Sequence, residues 1–260
     1  MVRFYVSLFR SRCDSVLSWS RLLTDTRTLS LSLSLSLTLI FSRYTQDALA
    51  TFFEARTIKE ANEVTFVGAK QTETAFALAK LSYDILLQDG LAAVQAVDTK
   101  TVTPELERVV EANTLLSGLG FESGGLCVAH SIHNGLTSQV DCMKYYTHGE
   151  RVAFGLLTQL MLEEKHYSNQ YMDTTNRNDE IEIVLQFCTT VGLPVTLKEL
   201  SIDDTNDKVI REIAQRSLAK EESSHREPFD ITVDMMMDAI RNADRVGTHY
   251  LKGIKAKKNL

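Results

Sequence analysis

Two stretches, GFESGGLCVAHSIHNGLT at residues 120–137 and THGERVAFGLLTQLMLEE at residues 147–164, decide how this chain reads. The small residues of GGLCVAHSIHNGL predict a closely packed helix closed by Gly135. In the second stretch Val152, Leu156, Leu157, Leu160 and Met161 recur at helical spacing, so one face of a longer helix is apolar. Three of the six histidines, His130, His133 and His148, fall within this short span. His130 and His133 stand three apart and project from neighbouring parts of one helix face. His148 comes just before a predicted helix, whose positive end disfavours imidazolium and suits Glu150 in the first turn. Neutral imidazole is the form that binds metal. Spacing alone leaves two readings open: part of a metal site, or capping, surface and satisfied core histidines. A catalytic zinc takes three protein ligands and an open position, and a third ligand would come from elsewhere in the chain.

Working outward, the pattern stays helical. TQDALATFFEAR places Ala48, Leu49, Phe52 and Phe53 on one side, and a long helical pattern runs through QTETAFALAKLSYDILLQDGLAAVQAV. Pro104 sits where a helix tolerates it, in the first turn of PELERVVEANTLLSG, and Gly118 and Gly120 are expected to end that element. Later segments, NDEIEIVLQFCTTVG broken at Gly192 and Pro194, then DKVIREIAQRSLAKE and ITVDMMMDAIRNADRVGTHYL, each carry an apolar stripe. Met235 to Met237 read as core filler. His166, His225 and His249 lack clustering and read as ordinary. No strand is followed by a G-x-G-x-x-G or Walker-type loop, and GLGFESGG, between two helical patterns, is a weak phosphate loop.

The bulk numbers are those of a globular protein: 260 residues, 44% hydrophobic, 24% charged, formal net charge −6. Basic residues are scattered, which excludes the footprint of a nucleic-acid binder, and no apolar run reaches membrane-spanning length. Cys13, Cys127, Cys142 and Cys188 form neither a zinc-finger spacing nor a disulfide framework, which fits reduced thiols and a cytoplasmic protein. Residues 1–43 differ from the rest. Leu and Ser alternate in LSLSLSLSLTLIF, residues 29–41, which taken literally is a strand with one apolar face. Translation of a CT dinucleotide repeat gives the same alternation, so this part is expected to be a low-complexity leader or a gene-model artefact without packed structure. Arg3, Arg10, Arg12, Arg21 and Arg27 among serines imitate a mitochondrial transit peptide, against which Asp14 and Asp25 count. The expected organisation is therefore 1–43 as leader and 44–260 as one helical domain.

These two stretches, with DALATFFEAR (47–56), VTPELERVVEANTLLSG (102–118) and VGLPVTLKEL (191–200) in the same order, resemble the C-terminal half of the glycerol dehydrogenase branch of the iron-containing (group III) alcohol dehydrogenase family. The resemblance spans roughly residues 45–251. It implies an all-α helical bundle, the C-terminal domain of a dehydroquinate synthase-like fold whose N-terminal α/β cofactor domain is missing here. It implies metal ligands Asp47, His130 and His148, with His133 beside the metal near the nicotinamide and Phe121 walling a substrate pocket. The implied cofactors are zinc, with iron as the other candidate, and NAD in the complete enzyme. The implied reaction is oxidation of glycerol, or a similar vicinal diol, to dihydroxyacetone, in a homo-oligomer without nucleic-acid or membrane partners. Two other readings stand beside it: a non-catalytic metal-binding remnant, and a helical module that pairs with a separate NAD-binding chain.

Overall fold

In the computed structural model of the protein, residues 31–65, 67–170, 175–203 and 206–258 are described, with the side chains of the first helix described from Thr45 onward. Helix α1 (Leu31–Ala61) is enclosed by neighbours: Ala48, Leu49, Ala50, Phe53, Ala55 and Ile58 are fully buried. It ends where Asn62 takes a left-handed conformation, a common way to stop a helix. The expected boundary at residue 43 falls inside α1, and the Leu/Ser alternation from Leu31 is helical rather than extended. Leu favours helix, and the stretch is continuous with a helical segment, whereas a strand of period two would need a partner strand. Residues 1–30, including Cys13 and the arginines of the transit-like segment, lie outside the described residues.

Helix α2 (Glu73–Asp98) is capped by Thr72, whose hydroxyl accepts the Ala75 N–H at 3.1 Å. Helix α3 (Pro104–Glu111) starts with Pro104 in its first turn and Thr103 as cap, accepting from the Leu106 N–H. Contrary to the expected stop at Gly118 and Gly120, the chain continues through a π-helical turn (Ala112–Leu116) into α4 (Ser117–Gly124). Gly120 has a packing reason instead: a Cβ there would stand 3.0 Å from Thr51 Cγ2 of α1. The element ends at Gly125, where φ is 101°.

Helix α5 (Val128–Leu136), the short α6 (Val140–Tyr145) and α7 (His148–Asn169) follow. The Glu150 carboxylate accepts from both the Thr147 N–H and the Thr147 hydroxyl at the start of α7. Nearly every residue of α7 from Gly149 to Glu163 is buried, including the predicted stripe of Val152, Leu156, Leu157, Leu160 and Met161. Helix α8 (Thr175–Val191) stops at Gly192, where φ is 80°, as expected from the sequence. Helices α9 (Asp207–Ser217) and α10 (Val233–Lys258) complete the bundle, with Met236 and Met237 in the core. The described residues are all-α apart from one isolated antiparallel bridge between Val64 and Lys70, and none of their helices is long and apolar enough to cross a membrane. Helices α1, α5 and α7 pack together. Each brings one chemically distinctive side chain to their common junction.

Candidate metal centre

Asp47 lies on α1, His130 in the first turn of α5 and His148 at the first position of α7. Asp47 Oδ1 stands 3.1 Å from His130 Nε2 and 3.1 Å from His148 Nε2. One ligand atom from each residue lies within 4.8 Å of the others. Two ligands of a tetrahedral ion bound at about 2.0–2.1 Å stand roughly 3.3 Å apart, close to the spacing of Asp47 Oδ1 from each imidazole nitrogen. Side-chain exposure rises from 14% at His130 to 25% at Asp47 and 48% at His148, so the group opens to solvent on the His148 side.

The charges around the group call for a cation. Burial alone would raise the Asp47 carboxyl, but hydrogen bonds and positive charge from His130 and His148 hold it far below the usual carboxylate range. Burial alone would lower His130. The negative charges of Glu54 and Asp47, with their hydrogen bonds, outweigh that and raise it to about 10. One carboxylate and two imidazoles also fit the ligand preferences of zinc and of ferrous iron.

His133 sits beside His148 rather than in the group. Its Nε2 lies 3.1 Å from His148 Nδ1 and 3.3 Å from Arg151 Nη2. Its Nδ1 faces Asn134 Oδ1 at 3.0 Å. Arg151 can only donate, so His133 Nε2 accepts and Nδ1 carries the proton. Burial pushes His133 down to about 3, and the charges of His148, Arg151 and His130 act in the same direction. The Arg151 guanidinium is itself anchored on the Tyr146 and Cys142 carbonyls. Phe121 is half-buried on α4, next to the Gly120 contact with the turn of α1 that follows Asp47. An open cleft of about 280 Å³ near the start of α7, lined by Tyr146, Glu150, Leu193 and Glu199, includes none of the three grouped residues.

Sequence reasoning passed over Glu54. It follows Asp47 by seven residues on the same helix, two turns along, and is wholly buried. Its Oε2 lies 2.6 Å from His130 Nδ1, and its Oε1 accepts the N–H groups of Cys127 and His130 at 2.8 and 3.1 Å. The signal was present as an acid in heptad register with Asp47, but nothing local says which residue it faces.

No protein-family model matches the chain. It is 44% identical over 206 residues to glycerol dehydrogenase of Pseudomonas putida, covering 79% of this chain and 53% of that protein. A crystal structure of a probable glycerol dehydrogenase from Sinorhizobium meliloti superposes with a TM-score of 0.74 at 38% identity, over 82% of this chain and 56% of the other. The iron-containing alcohol dehydrogenase of Thermococcus thioreducens shares the fold, with a TM-score of 0.59 at 18% identity over 80% of this chain and 51% of that one. The chain thus spans about half the length of the relatives it matches, and the matched half is their C-terminal portion. A bundle with this topology is similar in both sequence and structure to the C-terminal half of glycerol dehydrogenases, and it shares the fold of an iron-containing alcohol dehydrogenase.

Proposed function

We propose that Asp47, His130 and His148 bind one divalent cation, zinc, and that this helical bundle receives the hydroxyls of glycerol or a similar vicinal diol for NAD-dependent oxidation. The reading rests on one observation, the convergence of Asp47 Oδ1 with two imidazole Nε2 atoms. A dication held there would act as a Lewis acid that makes a substrate hydroxyl more acidic. The chain's own residues do the rest. Asp47 would offer negative charge toward the cation, and His130 and His148 would each offer an imidazole nitrogen. The exposure gradient leaves the His148 side for the substrate to approach. His133, neutral and accepting from His148, holds the His148 ring with Nε2 toward Asp47. Phe121, half-buried on α4, would supply an apolar wall for the substrate in this reading. The names of the relatives support glycerol as substrate and dehydrogenation as the reaction.

Elemental analysis of the 260-residue protein after zinc loading and gel filtration tests the ligand set. The wild type should retain about one zinc per chain, Asp47→Ala and His148→Ala should retain almost none, and His133→Ala should keep most of it. Equal zinc in wild type and His148→Ala would refute the assignment.

A further inference from the structure

We propose that Glu54 is the positioning residue for His130, setting both the ring's tautomer and the height of the helix that carries it. This rests on the metal reading above and adds a residue to it.

One helix of the site has no side-chain cap of its own. Helix α5 starts after Cys127, whose side chain makes no capping bond. The first N–H groups of a helix need acceptors, and burial makes an unmet one costly. Two other helices provide them. Glu54 of α1 accepts from the Cys127 and His130 N–H groups, and Gln159 of α7 accepts from the Ala129 N–H at 2.9 Å. Glu54 thus uses one carboxylate oxygen to fix the start of α5.

The other oxygen faces the His130 ring at 2.6 Å. A carboxylate accepts only, so Glu54 holds a hydrogen on Nδ1, and Nε2, 3.1 Å from Asp47 Oδ1, is the nitrogen that would give up its proton to present a lone pair to a cation. His130 is therefore clamped at both ring nitrogens by two acids of one helix, two turns apart. Asp47 stands where a metal ligand would, and Glu54 stands where an orienting partner would. With 0% exposure, Glu54 has no water to share its charge with, which keeps this hydrogen bond from being replaced by solvent.

Glu54→Gln separates orientation from folding. The glutamine carbonyl can still accept from the two backbone N–H groups, so α5 remains capped. Its NH2 then faces Nδ1 and donates, which requires Nδ1 to accept and moves the ring hydrogen to Nε2, where it blocks a cation. Zinc affinity of the full chain, measured by competition with a chromophoric chelator, should fall about 10–100-fold in Glu54→Gln. The metal-free variant should melt within a few degrees of wild type, and Glu54→Asp should recover part of the affinity. Zinc bound as tightly by Glu54→Gln as by wild type overturns the inference and leaves the ligand set standing. Loss of affinity together with collapse of the metal-free melt, unrelieved by Glu54→Asp, assigns Glu54 to folding alone and also overturns it. If the wild type itself fails to bind zinc while Asp47→Ala is indistinguishable from it, the ligand set falls and this inference with it.

Discussion

Glu227 is a carboxyl group held where a carboxylate is costly. It is 6% exposed, its Oε1 faces the Cys127 thiol at 3.1 Å, and its Oε2 has no hydrogen-bond partner. Burial, then the negative charge of Glu163, raises it well above the usual 4.5, which favours the protonated carboxyl in the folded chain. The unfolded chain gives up this proton near pH 4.5, while the folded chain keeps it. Stability is therefore lost as pH rises above that point, by up to about 1.4 kcal/mol per pH unit. Glutamine is neutral throughout. Glu227→Gln should be more stable than wild type at pH 8, with a gap that narrows toward pH 5, in urea denaturation followed by circular dichroism. A gap that does not change with pH would show that Glu227 is ionised in the folded protein. At this scale the sequence was legible where residues cluster locally, as His130, His133 and His148 do. It was silent where the partner is remote. Glu54 meets His130 across 76 positions and Glu227 meets Cys127 across 100, and no periodicity encodes such a pairing.

Helix α7 shows how an element, rather than a side chain, sets the site. Gly155 lies on its buried face, where a Cβ would stand 2.3 Å from the Ala129 carbonyl oxygen. That carbonyl immediately precedes His130, so the absence of a side chain at 155 lets the helices carrying His130 and His148 touch backbone to backbone. Glycine within a helix ordinarily costs about 0.5–1 kcal/mol relative to alanine. Here the sign should reverse. Gly155→Ala should destabilise the fold by about 1–3 kcal/mol, because α5 must move away from α7. Zinc affinity should drop with it, since the two imidazoles move apart. Gly253→Ala on α10, where nothing lies within 4 Å of the added Cβ, should instead raise the melting temperature slightly and leave zinc binding alone. Calorimetry and a zinc titration on both variants check this, and a Gly155→Ala protein with unchanged melting and affinity would contradict it. Element starts and stops were largely readable because local groups make them: Thr103 with Pro104 opens α3, and Gly192 closes α8. The run from α3 through the π turn to α4 was not, because Gly118 and Gly120 look like breakers until α1 is seen packed against Gly120. The start of α1 was missed for a related reason, since a Leu/Ser alternation has period two on paper while its backbone is helical.

At the scale of the whole molecule, the described residues contain the grouped ligands and a helical bundle, and the matched relatives are about twice as long as the matched segment. Oxidising a vicinal diol transfers a hydride from the carbinol carbon to the nicotinamide and releases a proton. Polarising the hydroxyl is one requirement. Holding the nicotinamide within reach of that carbon is another, and such orientation contributes several kcal/mol of barrier lowering. In the proposed reading, a cation held by Asp47, His130 and His148 would address the first requirement. For the second, the described residues show no strand-loop-helix turn of the kind that cradles a dinucleotide's phosphates, and GLGFESGG is built into the end of α4. The 260-residue polypeptide alone should therefore bind zinc but form negligible NADH from glycerol. Residues 44–260 joined to the NAD-binding half of a glycerol dehydrogenase relative should form NADH readily. Asp47→Ala in that chimera should reduce the rate at least 100-fold without changing its melting temperature by more than a few degrees. NADH absorbance recorded for the polypeptide, the chimera and the variant side by side makes the comparison. Robust turnover by the polypeptide alone would mean that it carries its own nicotinamide site. An active chimera that tolerates Asp47→Ala would separate the oxidation from the grouped ligands altogether.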